Sequence, residues 1–178
     1  MSVKGNVYWI TGLSGAGKTS IGKLFFKKIK QEEPNTIFLD GDELRMIINV
    51  EPSFSMESRL NLSYMYSKLC NLFANQKSNV VIATISMFEE IRAWNKKNIL
   101  NYNEVYIKVP MNILIKRDQK NLYSKAIKGE THNVIGMDIQ FQEPINPDLI
   151  CMNDGSKSVQ SIAEEIFLFF KKTKKLTM

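Results

Sequence analysis

Two cysteines and one histidine are all that the 178-residue chain offers of the softer metal-ligating side chains. Cys70 and Cys151 lie far apart and fit neither a metal nor a redox spacing, so both read as buried free thiols. His132 has no partner at ligand spacing and sits in a polar stretch, which points to an incidental surface position. No run approaches the roughly 18 consecutive apolar residues of a membrane span. Residues Met1 to Gly5 lead into the first apolar segment without the apolar core of a signal peptide, which points to the cytoplasm. Internal repeats, low-complexity tracts and linkers are missing as well, so residues 1–178 are expected to form one domain. Basic residues are not interleaved with aromatics, which argues against a nucleic-acid partner. The net charge of +6 instead suits anionic small molecules. Part of that excess is the tail Lys171-Lys172-Thr173-Lys174-Lys175, read as a solvated helix end.

What the chain does have is Gly12-Leu13-Ser14-Gly15-Ala16-Gly17-Lys18-Thr19, set between the apolar run Val7–Ile10 and a helical pattern. Spacing and context match the P-loop, which needs a strand before it and a helix after it. Its glycines let successive N–H groups converge on a phosphate, and the helix N-terminus adds partial positive charge. Lys18 is expected to reach the outer phosphates, and the Thr19 hydroxyl to ligate magnesium. The motif implies a bound nucleoside triphosphate.

Short β-branched runs alternate with helical patterns. Candidate strands are Val7–Ile10, Thr36–Leu39, Val80–Ile85, Val105–Val109 and Leu149–Cys151. Near-continuous apolar strands separated by helices predict an α/β fold of the P-loop NTPase type, in three layers. Its sheet would be parallel and five-stranded, with helices on both faces. The first helix, Lys18 to about Gln31, places Ile21, Leu24, Phe25 and Ile29 on one stripe. A second follows Ser55, a fitting N-cap, with Leu60, Tyr64, Leu69, Leu72 and Phe73 as its apolar face. The last, Val159 to Lys172, is expected to pack on the sheet, with Phe169 and Phe170 alternatively available for a subunit contact. Residues of about 116–148 mix Lys, Arg, Gly, Gln and Pro, and read as a lid.

The second strand ends in Asp40-Gly41-Asp42, with Arg45 following. Ligands bind beyond the carboxyl ends of strands in such sheets. Phosphoryl transfer needs a carboxylate for the attacking hydroxyl or the metal, and a cation for the acceptor. Asp40, Asp42 and Arg45 could supply both; the plainer alternative is an Asp-Gly turn with Arg45 on a solvated helix. The guanine-reading Asn-Lys-x-Asp is missing, and the third strand does not end in the aspartate of an ordinary NTPase metal site. Both absences favour a small-molecule kinase over a switch or motor.

With these residues in order, the chain resembles the adenylylsulfate kinase family. The P-loop and Leu39-Asp40-Gly41-Asp42 with Arg45 are joined by Phe54-Ser55 with Arg59, by Ile85-Ser86, and by Arg117-Asp118-Gln119-Lys120-Asn121-Leu122-Tyr123. Gly129-Glu130, Gly136-Met137-Asp138 and Glu143-Pro144 complete the match, which runs from Val7 to about Cys151. The resemblance implies transfer of the γ-phosphoryl of ATP to the ribose 3′-hydroxyl of a nucleotide with a mixed anhydride at its 5′ end. It implies that Gly12, Ser14, Gly15, Ala16, Gly17, Lys18, Thr19 and Ser20 hold ATP and Mg2+. Asp40 would orient or deprotonate the hydroxyl, and Asp42 would lie near the metal. Arg45 and Arg59 would clamp the acceptor's 5′ anion, with Phe54, Ile85, Ser86 and Val134 lining its pocket. Arg117 would cover the ATP base, and Lys120 would lie on the lid near the acceptor. A homodimer is also implied.

The departures cluster on the acceptor side. Where the family has a second phenylalanine against the acceptor base, Val134 stands, at a cost of about 1–3 kcal/mol of stacking. Leu62 replaces the asparagine expected after Arg59, and Asn61 points elsewhere on a helix. Gln140-Phe141-Gln142 loses a carboxylate. Donor residues kept and acceptor residues changed suggest the same reaction on another nucleotide. A branch resembling this family acts on cytidine diphosphoramidate in making capsular phosphoramidate, and that is the acceptor expected here. Adenylylsulfate is the alternative; a kinase of a non-nucleotide hydroxyl and a regulatory module without catalysis rank below both.

Overall fold

The computed structural model describes residues 4–48 and 55–176. Five parallel strands form one sheet, as expected, and their order is β2-β3-β1-β4-β5. β1 (Val7–Thr11) is central and fully buried, which explains why it reads as an unbroken apolar run. β2 is Thr36–Asp40, β3 Asn79–Ala83, β4 Tyr102–Lys108 and β5 Leu149–Met152. Seven helices complete the described part: α1 (Lys18–Glu32), α2 (Gly41–Ile48), α3 (Met56–Asn75), α4 (Glu89–Asn98), α5 (Met111–Arg117), α6 (Leu122–Ile127) and α7 (Val159–Leu176).

The alternation of β1 sorts the layers. Tyr8 meets Phe25 of α1 and Phe170 of α7 edge to face, with ring centroids 5.1 and 5.0 Å apart. Phe170 is therefore core, and α7 packs on the sheet. On the opposite side Trp9 lies against Tyr102, and α3 packs with α4. Cys70 and Cys151 are buried free thiols; burial pushes the Cys151 thiol up to about 12.

One expected helix face is only partly right. Ser55 does cap α3, its side chain accepting from Ser58 N–H at 3.2 Å. The buried face, however, is Leu62, Ser63, Tyr66, Ser67, Cys70 and Ala74, whereas Leu72 is exposed and Leu60, Tyr64, Leu69 and Phe73 are only partly buried. The reason is local: Ser63 and Ser67 satisfy their hydroxyls on the carbonyls one turn back, at 2.8 and 3.0 Å, so polar residues can turn inward.

Beneath Trp9 lies a buried polar group of residues. Arg92 and Glu104 are 2% and 1% exposed, and Asn95 is fully buried. Arg92 pairs with Glu89 at 2.8 Å, leaving Glu104 only distant cations, Arg92 at 3.9 Å and Lys96 at 4.0 Å. Neither Glu104 carboxylate oxygen has a hydrogen-bond partner. Burial accordingly raises Glu104 from 4.5 to about 7. The folded chain then holds a proton that the unfolded chain has lost, so stability falls as pH rises from about 4.5 to 7. Glu104→Gln is expected to unfold at higher urea than the unaltered protein at about pH 8, by about 1–3 kcal/mol, and to lose that pH dependence. Lower stability of the variant at about pH 8 would refute this account.

Candidate active site

The backbone leaves β1 at Gly12 and enters α1 at Gly17, whose φ of +87° is a left-handed conformation suited to glycine. Between them the loop is held from three directions. Lys18 Nζ donates to Leu13 O at 2.8 Å. The fully buried Tyr123, on α6, donates its hydroxyl to Ser14 O at 2.8 Å. Asn153, directly after β5, donates Nδ2 to Ala16 O at 2.8 Å. Burial lowers Lys18 to about 8, against the opposing pull of Asp42 and Asp40. A polyanion beside this ammonium would favour its charged form and oppose that lowering.

β2 delivers Asp40 to the same edge. Its carboxylate is buried and accepts from Thr19 Oγ1 at 2.6 Å and from Asp42 N–H at 2.8 Å. α2 is seated by the Tyr66 hydroxyl, which donates to Gly41 O at 2.7 Å. Asp42 lies 3.7 Å from Arg45 and 3.3 Å from Lys120. The solvated-helix alternative for Arg45 thus gives way to a position in the cavity wall.

These groups share a cavity of about 390 Å³. Ser14, Gly15, Gly17, Lys18, Thr19 and Ser20 line one end. Arg45, Arg59, Leu62, Ile85, Ser86 and Val134 line the other, with Asp40, Asp42 and Lys120 between. Gly12 and Ala16 are buried behind the loop, outside the lining. Arg117 also stands outside it, donating Nη2 to Asn153 O at 2.8 Å beside the loop. Phe54 lies outside the described residues. Leu62 faces the cavity while Asn61 is exposed and does not, as helical spacing predicts.

The segment expected as a lid starts at the end of α5 and forms a 3-10 turn (Gln119–Asn121), α6 and an irregular return. Arg59 Nη2 donates to Asn133 O at 2.8 Å, tying the lid to α3. Asp138 accepts from the N–H groups of Asn133 and Val134 and fixes the segment that carries Val134. The far root is stitched to the sheet: Glu143 accepts from Tyr106 at 3.0 Å and Lys108 at 2.7 Å, and Arg92 donates to Gln142 O at 2.9 Å. His132 is exposed, as expected, but it lines the cavity mouth and is not incidental to it. Asn153 and Asn133 escaped sequence reasoning, and Tyr123 was matched without its role at the loop being foreseen. For Asn153 a signal existed, since it follows a strand at the ligand-binding edge of the sheet.

Thr19, Asp40 and Asp42 present hard oxygen donors beside the loop, which fits magnesium held jointly with phosphate and water. Among the described residues no group of three or more His, Cys, Asp or Glu could hold a metal without such help. No described helix is long and apolar enough to cross a membrane.

The family model for adenylylsulphate kinase matches residues 4–152. The chain belongs to the adenylylsulphate kinase family. It is 40% identical over 172 residues to the cytidine diphosphoramidate kinase of Campylobacter jejuni, covering 93% of this chain and 100% of that one. A probable adenylyl-sulfate kinase of Archaeoglobus fulgidus is 36% identical over 152 residues, 83% of this chain and 96% of its own. Among solved structures, the Mycobacterium tuberculosis APS kinase in complex with AMPPNP and APS has a TM-score of 0.85 and 32% identity, covering 96% and 99% of the two chains. The protein is therefore a nucleotide kinase, a phosphotransferase with a hydroxyl acceptor.

Proposed function

We propose that the enzyme transfers the γ-phosphoryl group of ATP to the ribose 3′-hydroxyl of cytidine diphosphoramidate. The observation that carries the reading is one cavity with a conventional P-loop at one end and an altered acceptor wall at the other. Leu62 offers no hydrogen bond there, and Val134, 3% exposed, offers no aromatic face. A purine loses more from such a wall than a pyrimidine, whose stacking surface is smaller. The 40% identity to a cytidine diphosphoramidate kinase over that protein's whole length supports the choice.

In this reading the loop N–H groups and Lys18 hold the β- and γ-phosphates. Magnesium, when bound beside Thr19 and Asp42, neutralises phosphate charge. Asp40 accepts the hydrogen bond of the 3′-hydroxyl and aims its oxygen along the line of attack. As the new P–O bond forms and the bond to the ADP oxygen breaks, the hydroxyl proton passes to Asp40. Arg45 and Arg59 face the acceptor's 5′ anion. Burial, and then the charge of Arg45, hold Arg59 below the usual guanidinium range, so an anion between them relieves both. Lys120, bridged to Asp42, brings the lid over the reacting groups. Arg117 covers the ATP base, and a homodimer belongs to the same reading.

Adenylylsulfate is the second reading, favoured by the several adenylyl-sulfate kinases among similar proteins. A coupled assay separates the two. The kcat/KM for cytidine diphosphoramidate is expected to exceed that for adenylylsulfate by about tenfold or more, given the lost base stack. Equal or reversed efficiencies would overturn the choice.

A further inference from the structure

Three hydroxyls form a chain on the acceptor wall. Ser63 Oγ lies 2.8 Å from Ser86 Oγ, which lies 3.0 Å from Thr84 Oγ1. All three side chains line the cavity and are nearly inaccessible, at 3%, 5% and 6% exposure. A hydroxyl has one proton to give and two lone pairs to accept with. In an isolated row of hydroxyls the protons could run either way. Here one end is fixed, because Ser63 Oγ is 2.8 Å from the carbonyl of Arg59, and a carbonyl only accepts.

That single contact sets the direction of every other bond. The Ser63 proton goes to Arg59 O, so Ser86 must donate to Ser63. The Ser86 proton is then spent, so Thr84 must donate to Ser86. No proton is left for a ligand. What the chain keeps uncommitted is lone pairs: one on Ser63, one on Ser86 and two on Thr84. Tyr66, the other hydroxyl of this wall, has given its proton to Gly41 O.

We infer that the Ser63–Ser86–Thr84 chain selects acceptor bases that present an exocyclic amino group and rejects bases that carry a carbonyl at that position. The inference rests on the nucleotide reading of this cavity, but not on whether the base is cytosine or adenine, since both present an amino group. A carbonyl would meet lone pairs only. To be accommodated it must draw a proton out of the chain, at the least turning Thr84 away from Ser86, a loss on the scale of one buried hydrogen bond.

The test measures binding apart from turnover. The full-length protein loaded with ADP is titrated calorimetrically with cytidine diphosphoramidate and with its uridine counterpart, and 3′-phosphorylation of both is assayed in parallel. The cytidine compound is expected to bind about tenfold more tightly. In Ser63→Ala, Ser86 loses its acceptor and can turn to donate to a carbonyl, so the uridine compound gains and the preference collapses. In Thr84→Val the cytidine compound loses affinity while the uridine compound holds. Equal affinities in the unaltered protein overturn the inference, as does a Ser63→Ala variant that weakens both ligands equally. A base preference in binding without any 3′-phosphorylation would support the inference and sink the kinase reading of the cavity. Adenine and hypoxanthine forms of the 5′-phosphosulfate anhydride repeat the comparison for a purine acceptor. Failure of both pyrimidine ligands and of both purine ligands to bind overturns the two together.

Discussion

Asp40→Asn is expected to lower kcat by about 10²–10⁴-fold while ATP affinity stays within a few-fold. The substitution is nearly isosteric, and its local bonds can persist. The amide oxygen can still accept from Asp42 N–H, and the amide NH₂ can face Thr19 Oγ1, which then accepts instead of donating. What disappears is the negative charge and the capacity to take a proton. Both are needed only as the acceptor hydroxyl attacks, so the loss falls on the transition state and not on bound ATP. Steady-state kinetics against both substrates, with nucleotide binding measured separately, decides the matter. Turnover near that of the unaltered enzyme would remove Asp40 from the chemistry.

How much of this site could be read in advance depended on where each residue takes its meaning. The donor end was legible because its chemistry is local: strand, glycine-rich turn and helix follow one another within residues 7–32, and the spacing itself encodes the phosphate cradle. The central strands were legible because burial on both faces leaves β1 and β3 almost entirely apolar. α3 was read one stripe off because Ser63 and Ser67 hide their polarity within the helix and share the inward face with Leu62, Tyr66, Cys70 and Ala74. α4 went unnoticed for a related reason: two of its three buried residues are Arg92 and Asn95. The role of Arg92 comes from Glu104 and Gln142, across the fold. The loop's supports were the least legible, since Tyr123 and Asn153 act across sequence separations of 109 and 137 residues. No short window of sequence contains both partners of such a bond.

Those distant supports set the second large effect. Gly17→Ala is expected to cost about 2–4 kcal/mol of stability and to weaken ATP binding by about a hundredfold. Two causes act together. At φ +87° an alanine is strained by about 1–2 kcal/mol whatever surrounds it. Its Cβ would also lie 2.7 Å from Asn153 Nδ2, closer than packed atoms come. Asn153 must then withdraw, and the buried bond from Nδ2 to Ala16 O goes with it. The loop N–H groups that must converge on the phosphates lose their outer support, and a displacement of about 1 Å in such a cradle costs on the order of 10²-fold. A double-mutant cycle separates the causes. On an Asn153→Ala background the clash and the bond are both gone, so Gly17→Ala should cost only its backbone strain, about 1–2 kcal/mol less than before. Denaturant unfolding supplies the stabilities, and titration with a fluorescent ATP analogue supplies the affinities. If the two changes add without coupling, Asn153 does not brace the loop, and the strain at Gly17 alone governs nucleotide binding.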